Sequence, residues 1–120
     1  MKKKTLVLGA SANPARYSNL AVKRLCANGH PVVAIGRKED VINDVQVVKD
    51  KPPLSDINTI TLYLNANNQR EYYDYIFSLH PKRIIFNPGA ENDELAAMAA
   101  AQGIQTMEAC TLVLLSTGQF

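Results

Sequence analysis

The chain has 120 residues, 47% of them apolar and 20% charged, with a formal net charge of +2. That size is enough for one domain with its own core, residues 1–120, and the balance excludes a disordered chain. No apolar run approaches the ~20 residues of a membrane span, and the charge is too small and scattered for nucleic-acid binding. Lys2 to Lys4 lead into an apolar stretch too short for a secretory signal, so a cytoplasmic protein with neither a membrane nor a nucleic-acid partner is expected. Cys26 and Cys110 are too few and too far apart for a metal site, and in the cytoplasm they are expected to be buried free thiols.

Short β-branched runs alternate with longer stretches of helical period, the pattern of βαβ units around a parallel sheet. Thr5 to Gly9 is apolar almost throughout and reads as a first strand buried on both faces. Ser18 to Asn28 places Ala21, Val22, Leu25 and Cys26 on one helical face, with Ser18 as N-cap and Gly29 as stop. Pro31 to Gly36 is a second strand, and Val45 to Val48 follows a charged, loop-like segment as a short edge strand. The Pro52-Pro53 pair then interrupts regular structure. Asn58 to Leu64 is the third main strand, and Asn67 to His80 a helix whose Tyr73, Ile76, Phe77 and His80 share a face. Lys82 to Phe86 and Ile104 to Met107 are the fourth and fifth, separated by an alanine-rich helix, Glu91 to Gln102, with Leu95, Met98 and Ala99 inward and Gly103 ending it. Ala109 to Phe120 packs a short helix on the sheet. The expected fold is a three-layer, Rossmann-like α/β domain with a mostly parallel five-stranded sheet.

Such sheets bind ligands beyond the carboxyl ends of their strands. After the first strand, small residues from Gly9, Ala10 and Ser11 onward feed a helix start, where exposed amides and the positive end of the helix dipole favour phosphate. Ser11, Arg16 and Ser18 are candidate donors. Only Gly9 matches the three-glycine dinucleotide fingerprint, which is weak on its own. The second strand ends at Gly36, Arg37 and Lys38, two cations where NAD-binding folds place an acid. They suit a phosphorylated ribose, as in NADP or coenzyme A, or simply a solvated loop, and Glu39 and Asp40 weaken the field beside them.

The order Val7-Leu8-Gly9-Ala10-Ser11, Arg16-Tyr17-Ser18, the basic turn at Lys38, Asn87-Pro88-Gly89-Ala90-Glu91-Asn92 and the late Cys110 resembles the stand-alone CoA-binding domain family. These domains look like the amino-terminal domain of the succinyl-CoA synthetase alpha subunit. The resemblance runs from Lys4 to Leu115 and implies that Gly9 to Ser18 faces the pyrophosphate of coenzyme A and Gly36 to Lys38 its adenosine end. By the same resemblance Leu64, Asn65 and Ala66 line the path of the pantetheine arm, and Asn87, Pro88 and Gly89 close the far side. The chain departs from the family where Gly36-Arg37 replaces a frequent Asn-Pro and where Leu64 to Asn67 lacks the usual prolines.

Each feature also has a plain structural reading. Asn87-Pro88-Gly89 with Glu91 and Asn92 is ordinary turn and helix-start chemistry. His30 and His80 sit at helix ends away from Ser11, and nothing in the sequence beside Cys110 would lower its pKa. The tyrosines at 72, 73 and 75 go around a helix, so some face outward, as a homodimer contact or as ordinary surface. The expected function is therefore a binding module that holds a small-molecule nucleotide cofactor, coenzyme A or an acyl-CoA, without catalysis. The ligase relatives transfer phosphate through a histidine in a second domain, so such chemistry would need a partner enzyme subunit. The alternatives are an NADP-binding oxidoreductase or its remnant, and an interaction protein that has lost its ligand.

Overall fold

The structure, a computed structural model, describes residues 2–120. Seven strands form one sheet: β1 (Thr5–Leu8), β2 (Val32–Ile35), β3 (Asp40–Ile42), β4 (Val45–Val48), β5 (Thr59–Leu62), β6 (Arg83–Phe86) and β7 (Gln105–Glu108). Their spatial order is β3-β4-β2-β1-β5-β6-β7, and only the β3–β4 pair is antiparallel. The expected α/β class and mostly parallel sheet are thus present, with seven strands rather than five. The charged segment after β2 is itself a strand: Asp40–Ile42 turns through Asn43-Asp44, with Asn43 at φ 53, onto Val45–Val48. Asn-Asp accepts the left-handed backbone that so tight a hairpin needs. Val45–Val48 consequently lies inside the sheet, and β3 is the edge.

The helices are α1 (Tyr17–Ala27), α2 (Ala66–Gln69), α3 (Tyr73–Ser78), α4 (Asp93–Ala101) and α5 (Thr111–Ser116). One face of the sheet packs Leu6, Leu8, Ile60, Leu62, Ile84 and Phe86 against Ile76 of α3 and Leu95 and Ala99 of α4. The other packs Val7, Ala34 and Val47 against Val22 and Leu25 of α1, with Leu115 of α5 beside them. The apolar runs of β1, β5 and β6 are therefore completely buried because both their faces are covered.

Three local expectations are corrected. Ser18 is not the N-cap of α1; Arg16 holds that place with no side-chain capping bond, and Ser18 is buried inside the first turn. The stretch from Asn67 to His80 is not one helix but α2, a 3-10 turn over Arg70–Tyr72, and α3, the first capped by the Asn65 side chain accepting from the Asn68 N–H. His80 is exposed at φ 49 and Met98 is 37% exposed, so neither belongs to its helix's buried face; Tyr75 and Leu79 fill the first of these places. The stops at Gly29 and Gly103 are as expected. Gly29 N–H bonds Cys26 O while His30 N–H bonds Leu25 O, and Gly103 and Ile104 repeat the pattern on Ala100 and Ala99.

Candidate functional site

β1 and β5 are neighbours, but the chain leaves β1 toward β2 and leaves β5 toward β6. Their following loops diverge, which opens a crevice at the carboxyl edge of the sheet. A cleft of about 990 Å³ occupies that place.

Two glycines let its floor close up. A Cβ on Gly9, at φ 99, would meet Tyr63 and Leu64 at 3.1 and 3.2 Å, and one on Gly36 would come within 2.1 Å of Ala10 O. Gly9 and Ala10 N–H both donate to Ile35 O, at 2.8 and 2.9 Å, which fixes the start of the loop against the end of β2. Farther along, the loop bonds to itself: Asn13 N–H donates to Ser11 Oγ, Ala15 N–H to Asn13 Oδ1, and Asn19 Nδ2 to Ser11 O. The backbone N–H groups of Ser11, Ala12, Tyr17 and Ser18 have no partner among the described residues, and all four residues line the cleft. Tyr17 and Ser18 open α1 and Ser11 and Ala12 lie in the loop that leads to it, so the positive end of the helix's backbone dipole borders the same space.

Of the residues singled out from sequence, Gly9, Ala10, Ser11, Arg16, Ser18, Arg37, Lys38, Leu64, Asn65, Pro88 and Gly89 all line the cleft. Arg16, Arg37 and Lys38 are exposed and point no charge into the core. Gly36, Ala66 and Asn87 do not line it. Gly36 is buried beneath the floor, where only a residue without a side chain can pass Ala10. Ala66 opens α2 behind Asn65. Asn87 is 1% exposed and acts as a clasp: its Nδ2 donates to Thr61 Oγ1 and Leu62 O, and its Oδ1 accepts from Thr111 N–H.

The sequence reading missed Asp40, Tyr63 and Asn68, which also line the cleft. Tyr63 directly follows β5, so its place was readable, but the direction of its ring depends on the strand's exact end. Its hydroxyl is buried beside the Thr61–Thr111 hydroxyl pair without a hydrogen bond of normal geometry, and burial pushes its pKa up to about 12. The phenol is therefore neutral across the ordinary pH range.

Neither cysteine is fully buried, contrary to expectation. Cys110 stands at the N-cap of α5 and does not line the cleft, and burial pushes the Cys26 thiol up, helped by the Asp44 carboxylate. The histidines are also elsewhere, His80 exposed and His30 at the opposite edge of the sheet, where its Nδ1 accepts from Lys3 N–H. No cluster of metal-ligating side chains occurs among the described residues, and no helix there is long and apolar enough to cross a membrane.

The chain is similar over its whole length to a crystal structure of an uncharacterized protein, with 44% identity, a TM-score of 0.97 and 99% of that chain covered. A hypothetical protein from Pyrococcus horikoshii OT3 shares the fold at 20% identity and a TM-score of 0.87, over 97% of this chain and 83% of that one. A protein from Thermus thermophilus does so at 18% identity and a TM-score of 0.82, over 99% and 91%. No curated protein matches the sequence. The profile of the CoA binding domain matches residues 3–116, nearly the entire sequence, and the chain belongs to that family.

Proposed function

We propose that the protein binds coenzyme A or an acyl-CoA in the cleft at the carboxyl edge of the sheet and holds it without transforming it. The observation that carries this reading is the set of unpartnered N–H groups at Ser11, Ala12, Tyr17 and Ser18, which line the cleft along the loop into α1. Four donors around a helix start fit a diphosphate, whose oxygens are acceptors only. Arg37 and Lys38 then suit the ribose phosphate, and the walls at Leu64 and Pro88 suit the long amide-containing arm. A cleft of this size lies at the upper end of those that enclose small ligands. Ser11 Oγ accepts from Asn13 N–H, and the cleft is lined by neither histidine nor cysteine, which supports holding over chemistry.

The test is thermal unfolding with coenzyme A, dephospho-CoA, NADP and NAD. Coenzyme A at a hundred times its dissociation constant raises stability by about 2.7 kcal/mol. Dephospho-CoA binds more weakly, and the preference shrinks in Lys38→Ala and Arg37→Ala, whose unfolding without ligand is unchanged because both side chains are exposed. A transition that coenzyme A leaves unmoved would sink the proposal. A larger shift with NADP would transfer the site to the oxidoreductase reading.

A further inference from the structure

Behind the cleft lies a polar residue that touches no ligand space and is nonetheless completely buried. Gln69, at 0% exposure, ends α2, and its Nε2 donates to Leu64 O at 2.8 Å and to Ala90 O at 2.7 Å. These carbonyls belong to two different loops, the one after β5 and the one after β6. Leu64 and Asn65 of the first and Pro88 and Gly89 of the second line the cleft as two of its walls. Below them the strands are held by ladder bonds and by the Asn87 clasp, which ends at Leu62. Beyond that level Gln69 joins the two walls.

The Gln69 amide is itself held. Its Oε1 accepts from Asn92 Nδ2 at 2.9 Å, and the same Nδ2 reaches Tyr73 Oη at 2.8 Å, which in turn donates to Glu94 Oε1 at 2.9 Å. Asn92 Oδ1 meanwhile caps α4 by accepting from Leu95 N–H at 3.1 Å. Every polar atom of the Gln69 side chain is thus engaged, and the amide cannot turn over without leaving buried groups unpaired. A fully satisfied network of this kind fixes one spacing between the elements it joins.

We propose that Gln69 is a positioning residue that sets the separation of the β5 and β6 loops, and so determines the preference for coenzyme A over nucleotides lacking the pantetheine arm. This rests on the coenzyme A reading and adds a division of labour to it. The loop at Gly9 to Ser18 takes the phosphates, and the two walls spaced by Gln69 take the arm.

The experiment compares coenzyme A with adenosine 3′,5′-bisphosphate, which keeps the adenosine, the 3′-phosphate and one of the two 5′-phosphates but lacks the arm, by calorimetric titration of wild type, Gln69→Met and Gln69→Glu. Met keeps the length and removes both donors. Its expected effect is a roughly tenfold weaker affinity for coenzyme A, a loss of about 1.4 kcal/mol, with the bisphosphate within about twofold. Glu, protonated in that buried place, restores one bond and falls between. In the wild-type protein, NMR resonances of the Gln69 side-chain amide shift on adding coenzyme A and stay still on adding the bisphosphate, a readout that needs no variant to fold. Equal weakening of both ligands, an unchanged ratio, or amide resonances that respond alike to both would overturn the inference while leaving coenzyme A binding intact. Wild type that fails to bind coenzyme A would remove the parent reading instead, and this one with it.

Discussion

His30 is half-buried at the amino edge of the sheet, its ring centroid 4.9 Å from that of Phe120 and its Nδ1 accepting the Lys3 N–H at 3.0 Å. That bond needs a lone pair on Nδ1, so the folded protein prefers neutral imidazole. Burial holds the pKa below its ordinary value of 6.5, and the cations at Lys2 and Lys3 add to the effect. An unfolded chain takes up the proton near 6.5 and the folded one only at lower pH, so the stabilisation is complete above 6.5 and is lost as pH falls below it. Melting temperature should drop more steeply between about pH 7 and about pH 5 in wild type than in His30→Asn, which keeps an acceptor that does not titrate. Parallel pH profiles would contradict this. At this scale the sequence was legible where a residue's place at the cleft follows from its position beyond a strand, as with Ser11, Arg16, Arg37 and Lys38. It misled at Gly36 and Asn87, because a glycine or an asparagine beyond a strand looks the same in sequence whether it faces a ligand or a neighbouring loop.

Elements meet most tightly where the end of β2 passes the loop after β1. Alanine at position 36 would place its Cβ 2.1 Å from Ala10 O, a backbone atom that cannot swing aside, and 3.1 Å from Val47 Cγ1. Gly36→Ala should therefore cost about 3 kcal/mol in denaturant unfolding and shift the loop after β1 with it. Gly103→Ala, at φ 77 with no atom within 4 Å, meets only backbone strain and should cost about 1 kcal/mol. Equal losses in the two variants would mean that the β2 crossing is looser than its geometry. Helices and buried strands could be read in the sequence because their apolar period is set by coverage on one or both faces. The β3–β4 hairpin could not, since Glu39, Asp40, Asn43 and Asp44 hide a pairing whose inward residues are Ile42, Val45, Val47 and Val48. The break between α2 and α3 escaped for a different reason: the 3-10 turn over Arg70–Tyr72 bridges two faces without disturbing the apolar spacing.

Across the whole molecule, protection should fall from the middle of the sheet outward. β1 is paired on both sides and buried at every position, whereas β3 is three residues long, has one partner and leaves Val41 52% exposed. Native-state hydrogen exchange should find the amides of β1 and β5 slowest, opening only with global unfolding, and those of β3 exchanging through local fraying. Slow exchange in β3 would indicate that something further covers that edge. The fold class was legible at this scale because alternating strands and helices leave few ways to bury both sheet faces, while the edge order depends on pairings the apolar pattern does not encode.

The four free amides at the start of α1 have an evolutionary consequence. Backbone N–H groups are common to every amino acid except proline, so their attraction for an anion persists however Ser11, Ala12, Tyr17 and Ser18 drift, provided the turn keeps its course. On the proposed reading, divergence in this chain retunes which nucleotide is preferred through Arg37, Lys38 and the outer walls, while the capacity to hold a phosphate is inherited with the backbone itself.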